Sequence, residues 1–276
     1  MTNSASSSVS GDRASDNSRS LRSQALLERY REIASELLTV VDVETTGSSA
    51  GRDRVIEISV LQGRVGEGVV YQQTHTLNPG VPVPYRITQF TGITQAMVNE
   101  ACHSEAVLPD YLPLLTEGVL TAHNLQFDYG FLQQEYERLG ITFARSPARQ
   151  FCTVKLSRLL LSHLPSRSLP KLVAHFGFDV GPSHRAEADT LACWLLADKL
   201  LTEIVHEPDA DLLQRFVSQP ITLNAAARLL GCAPAAAYVQ LDSAGVAPLY
   251  TNRRGTAFYR REAVERLCQS GDDSGT

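Results

Sequence analysis

The stretch Leu38-Thr39-Val40-Val41-Asp42-Val43-Glu44-Thr45-Thr46-Gly47 is a run of apolar and β-branched residues that reads as a buried strand. Residues two apart on a strand share a face, so the carboxylates of Asp42 and Glu44 project side by side. Adjacent carboxylates repel and resist desolvation unless a cation lies between them, and hard oxygen ligands suit Mg²⁺ or Mn²⁺ better than zinc. Taken alone, the pair also fits a solvated strand end.

Working outward, Ala122-His123-Asn124-Leu125-Gln126-Phe127-Asp128 follows the short apolar segment Val119-Leu120 and leads into a helical pattern, Phe131-Leu132-Glu135-Tyr136-Leu139, that stops at Gly140. By itself Asp128 reads as a first-turn acid facing the helix dipole. His123 and Asn124 fit either loop and cap hydrogen bonding or the lining of a site. A third cluster, Ser183-His184-Arg185-Ala186-Glu187-Ala188-Asp189, opens a long helix through Leu191, Trp194, Leu195, Ala197 and Leu200. A helix that starts between His184 and Asp189 aims both at one point from its first turns.

Together the clusters resemble the DEDD superfamily of 3′-to-5′ exonucleases, in the subgroup with histidine in the third motif. The resemblance covers roughly Leu38 to Leu201: Asp-x-Glu-Thr-Thr-Gly, then His-Asn-x-x-Phe-Asp, then His-Arg-Ala-x-x-Asp. Landmarks similar to the epsilon-type proofreading branch are Arg54-Val55-Ile56-Glu57-Ile58 as a second strand, Leu77-Asn78-Pro79 at the end of a third, and Thr91-Gly92-Ile93-Thr94 before a helix. Many relatives carry histidine where Thr91 stands, a departure that bears on substrate contacts.

The resemblance implies two divalent cations, Mg²⁺ or Mn²⁺, on Asp42, Glu44, Asp128 and Asp189, clamping the attacking and leaving oxygens of an in-line displacement. His184 would take the proton of the attacking water, a role that suits imidazole. Thr45, Thr46 and Gly47 would hold the terminal nucleotide through backbone groups, His123 and Asn124 would line the site, and Phe127 would stack or wedge. Glu57 and Glu187 read instead as a strand-end charge and an exposed helix acid.

The 276 residues suit one or two domains of ordinary globular composition. No apolar run reaches membrane length and the amino terminus lacks a secretion-signal core, so no membrane association is expected. The cysteines Cys102, Cys152, Cys193, Cys232 and Cys268 are scattered and lack metal-ligand spacing, as reduced cytoplasmic thiols would be. The net charge of −5 does not advertise a nucleic-acid binder. Between Ile141 and Phe178, however, there is no acidic residue, and Arg145, Arg149, Lys155, Arg158, Arg167 and Lys171 fit a phosphate flank as well as ordinary surface. Leu156, Leu159 and Leu160 read as helix core.

The expected architecture is α/β, a ribonuclease H-like mixed sheet flanked by helices, plus a small C-terminal winged helix-turn-helix domain. Boundaries fall at 1–22 (a disordered Ser-rich tail), 23–203 (the exonuclease unit), 204–216 (an acidic linker), 217–270 (the winged module) and 271–276 (a tail). In the module, Ile221 to Gly231 is a capped helix, Ala235 to Asp242 a second, Gly245 to Arg260 a hairpin, and Arg261 to Gln269 a closing helix. This order resembles excisionase and MerR-type modules, with Arg253, Arg254, Arg260 and Arg261 on the wing. Its second helix carries no basic residue, which favours nonspecific duplex anchoring or partner docking over base reading.

The sequence therefore points to a cytoplasmic, metal-dependent 3′-to-5′ exonuclease releasing nucleoside monophosphates from DNA in proofreading or repair. Its partners would be single-stranded or 3′-terminal nucleic acid, DNA above RNA, and a DNA polymerase or another replication or repair protein. The alternatives are a 3′-to-5′ exoribonuclease and a catalytically weak DNA-binding adaptor.

Overall fold

The computed structural model describes residues 22–273, with side chains described over 22–269. The tail expected over 1–22 lies outside the described residues apart from Arg22, and so do the last three residues of the tail expected over 271–276. The chain forms two compact units, one of Arg31–His206 and the other of the described residues up to Tyr30 together with those from Glu207 on.

Helix α1 (Ser23–Ala34) leads into β1 (Leu37–Thr45), β2 (Val55–Arg64) and β3 (Gly68–Thr76). Three helices follow, α2 (Tyr85–Thr91), α3 (Gln95–Glu100) and α4 (Ser104–Thr116), then β4 (Val119–Ala122), α5 (Leu125–Arg138), β5 (Gln150–Cys152), α6 (Thr153–Leu160), α7 (Leu169–Phe176) and α8 (Ala186–His206). The five strands form one mixed sheet in the order β3-β2-β1-β4-β5. β1 runs antiparallel to β2 and parallel to β4, which places the Asp42 strand at the centre. This is the ribonuclease H-like arrangement, helices on both sides of a mixed sheet.

Alternation along the strands decides which face carries chemistry. Val41, Val43, Ile58 and Val60 join Leu108, Tyr111, Phe131 and Tyr136 of α4 and α5 in one hydrophobic core. Leu38, Val40, Asp42 and Glu44 therefore occupy the opposite face, the one covered by α8, which packs on β1 and β2. Close approach of α8 requires a glycine in β2: a Cβ at Gly63 would run into the Trp194 indole.

The second unit contains α9 (Asp209–Val217), β6 (Pro220–Thr222), α10 (Leu223–Leu229), α11 (Pro234–Ser243), β7 (Tyr250–Thr251), β8 (Ala257–Arg260) and α12 (Arg261–Asp273). Its strands form an antiparallel sheet in the order β6-β8-β7 over a core of Ile221, Leu229, Leu241, Tyr259 and Val264. The Thr222 hydroxyl caps α10 by accepting from the Ala225 amide.

The linker expected over 204–216 is instead helical: α8 continues to His206, and Asp209–Val217 buries Leu212 and Phe216. Asp209 and Asp211, which read as linker charges, occupy the first turn of a helix, where acids are favoured. Nor does the exonuclease unit begin at residue 23. Residues of α1 through Tyr30 belong with the second unit, where Ser23 bonds Glu265 and Tyr30 meets Phe216 edge to face.

Candidate active site

β1 delivers Asp42 and Glu44 to its C-terminal end, where its register with β2 shifts between Glu44 and Thr45. α5 carries Asp128 in its first turn, following Asn124 at φ 86°, a left-handed conformation that asparagine tolerates. The buried Asp128 carboxylate accepts from the Val43 amide at 3.3 Å. Asp189 comes from the first turn of α8.

These elements converge on one cleft of about 520 Å³, lined by all four carboxylate residues and by His123, Phe127, Arg86 and Phe90. Oxygens of Asp42, Glu44 and Asp189 lie within 4.8 Å of one another, an all-oxygen set suited to a hard divalent cation. Burial first, then the charges of Asp128, Asp189, Glu44 and Glu57, hold Asp42 well above the usual carboxylate range. Burial, with Asp189 and Glu57, pushes Glu44 up to about 8. Asp128 is pushed to about 8 mainly by burial, against the lowering effect of backbone hydrogen bonds that include the Val43 amide. Asp189 is raised by burial and held back by the His184 amide. Carboxylates that so disfavour ionisation together make a place where a divalent cation fits.

Glu57 was read as a strand-end charge, and the structure corrects this. It is buried opposite Glu44 in the strand register, its Oε1 lies 2.6 Å from Arg185, and its Oε2 accepts from the Ala186 amide at 2.8 Å. Glu57 thus caps the start of α8 between His184 and Asp189. The sequence signal was a lone acid within the run Val55-Ile56-Glu57-Ile58 and an arginine beside the motif histidine, 128 residues apart.

The remaining expected contacts divide. Thr45 and Gly47 line the cleft, and a Cβ at Gly47 would meet the Asp53 carboxylate. Thr46 does not line it: its amide donates to Arg54 O and its hydroxyl accepts from the Arg54 amide. Asn124 is exposed at the helix start, outside the cleft lining. Both ring nitrogens of His123 are engaged, by Thr153 Oγ1 at 2.9 Å and Arg167 O at 2.8 Å, and burial lowers its pKa to about 4, which keeps the ring neutral. Thr91 also lines the cleft, its hydroxyl donating to Ile87 O. Sequence reasoning missed Arg86, whose guanidinium brings a positive charge to the cleft lining, and Phe90. They lie four apart in α2, a helix the motif spacing did not reveal.

Within the acid-free segment, Arg149 pairs with Glu36, Arg145 donates to the carbonyls of Thr116 and Gly118, and Arg167 donates to Leu161 O. In the second unit Arg253, Arg254 and Arg260 are exposed. Arg261 is not a wing cation: it is buried, 2.6 Å from Glu265, because it opens α12 with its side chain turned to Ser23 and Glu265.

A model of the RNase T exonuclease family matches residues 39–196. The PolC-type DNA polymerase III of Clostridium perfringens is 34% identical over 167 residues, 60% of this chain and 11% of the polymerase. That of Oceanobacillus iheyensis is 33% identical over 187 residues, 68% of this chain and 13% of the polymerase. The chain thus spans only a small part of these relatives' length. Among solved structures, E. coli exonuclease I in complex with a dT13 oligonucleotide shares the fold with a TM-score of 0.54 at 18% identity, over 60% of this chain and 41% of that one. Cell-death related nuclease 4 matches with a TM-score of 0.51 at 16% identity, over 60% of this chain and 64% of that one.

Proposed function

The chain belongs to the RNase T exonuclease family, and from that premise we propose that it is a divalent-metal-dependent 3′-to-5′ exonuclease releasing nucleoside monophosphates from DNA ends, in proofreading or repair. The observation that carries this reading is the convergence of carboxylates from three distant segments, Asp42 with Glu44, Asp128, and Asp189, on one cleft. These residues would hold two divalent cations. Such ions acidify a bound water and neutralise charge on a phosphodiester.

The chain's own groups supply the rest. His184, whose amide is tied to Asp189 at 3.0 Å, takes the proton of the attacking water. Thr45, Gly47 and Phe127 seat the terminal nucleotide, and Arg86 meets the phosphodiester behind it. DNA is favoured over RNA by the polymerase relatives and by the oligonucleotide bound to exonuclease I. The second unit acts as a winged helix-turn-helix module, with Arg253, Arg254 and Arg260 gripping duplex phosphates.

The test is hydrolysis of a 5′-labelled single-stranded DNA in Mg²⁺ or Mn²⁺. A ladder that shortens progressively from the 3′ end, blocked by chelator and by Asp42→Ala or Asp189→Ala, is expected. Cutting of a closed single-stranded circle, or turnover that survives chelation, would overturn the reading.

A further inference from the structure

Phe90 is a large aromatic on α2 with 58% of its surface exposed, and its ring lies on the His184 imidazole, the centroids 3.8 Å apart and the planes 31° from parallel. His184 precedes α8 in an irregular segment and adopts φ 67°, a left-handed conformation uncommon for a residue with a side chain. Its backbone is fixed by the bond to Asp189, but among the described residues its imidazole nitrogens have no hydrogen-bond partner. His123, by contrast, is held through both ring nitrogens.

A general base needs a second group to orient it, and a hydrogen-bonded carboxylate or carbonyl usually does so. Attraction to the Asp189 carboxylate does not set the plane of the ring, and the packing on Phe90 is the contact that can. The platform is itself anchored: Ile87, on the same helix, packs against buried Ile56, Ile93 and Val98, and Thr91 is buried one residue on. Resting on the reading of His184 as base, we propose that Phe90 is a positioning residue that holds the His184 imidazole at the rim of the carboxylate cleft. An exposed ring that lines a nucleic-acid cleft has an obvious competing use, stacking on a base of the substrate. The two uses predict different mutational couplings.

The test combines Phe90→Ala, Phe90→Tyr, His184→Ala and the double variant Phe90→Ala with His184→Ala, all in the full chain. In NMR spectra of the metal-free protein, the His184 ring protons, assigned by their loss in His184→Ala, should lie upfield in wild type and move downfield in Phe90→Ala. On 5′-labelled single-stranded DNA with Mn²⁺, Phe90→Ala should lower kcat about 3- to 10-fold with KM little changed, as expected for loss of one aromatic contact. Phe90→Tyr should restore it. On the His184→Ala background, adding Phe90→Ala should produce no further loss, because the two residues act through one group. Unmoved imidazole resonances would overturn the proposal. So would a KM defect that persists on the His184→Ala background, which would make Phe90 a substrate-stacking residue. If wild type shows no turnover, the exonuclease reading and the base role fall together, while the NMR comparison still judges the stack.

Discussion

Asp42, Glu44, Asp128 and Asp189 all hold their protons to higher pH in the fold than carboxylates do in an unfolded chain, where Asp and Glu titrate near ~4. Below that value both states are protonated and the groups contribute nothing to the pH dependence. As pH rises towards the folded values of about 8 for Glu44 and Asp128, the unfolded chain has released protons that the fold retains, so the fold loses stability. The metal-free protein should therefore show a melting temperature that falls between pH 5 and pH 9, measured by calorimetry in chelator. Glu44→Gln should flatten the slope, and saturating Mg²⁺ or Mn²⁺ should oppose the fall. A melting temperature that rises over this range in chelator would contradict the assignment. Asp42, Glu44 and Asp189 were legible in the sequence through strand parity and helix-start spacing, whereas Asp128, alone an ordinary first-turn acid, joined them only through the resemblance carried by all three motifs. Phe90 and Arg86 were not, since nothing local in Tyr85–Thr91 marks the helix as facing the cleft.

The start of α8 depends on a side chain from β2. Glu57 joins Arg185 and the Ala186 amide, so one buried carboxylate fixes the register of the helix that carries Asp189 and holds the backbone that carries His184. Removing one partner strands the other's polar group, and because Arg185 is part-exposed the cost lies below that of a fully buried pair. Glu57→Ala should lower the unfolding free energy by about 2–3 kcal/mol in urea titrations. Glu57→Gln, which keeps an acceptor for Ala186, should lower it by less; equal losses would mean that charge pairing contributes little. This contact was invisible locally because its partners are far apart in the chain. The helix over Asp209–Val217 was missed for the opposite reason: Glu207, Pro208, Asp209 and Asp211 have the composition of a solvated linker and also that of a helix start. The central strands were legible because their runs of buried apolar residues have few other uses.

Across the whole molecule, a net charge of −5 opposes nonspecific attraction to DNA, so any grip on a duplex must come from local clusters of cations. Arg253, Arg254 and Arg260 are such a cluster, exposed on and beside the β7–β8 hairpin, while Arg261 is tied into its own unit by Glu265. α11 exposes Tyr238 and Val239 and carries no basic residue, so contacts from this unit should be made to phosphates rather than base edges. If the wing grips phosphates, replacing Arg253 and Arg254 with alanine should reduce the slope of log binding constant against log salt by roughly one unit per lost contact. Loss of affinity should be similar for duplexes of different sequence. Titrating wild type and the double variant onto tailed duplexes at several salt concentrations checks both points. Equal slopes and affinities would remove the hairpin from the DNA interface and leave the exposed Tyr238 and Val239 face, with a protein partner, as the better account of the second unit.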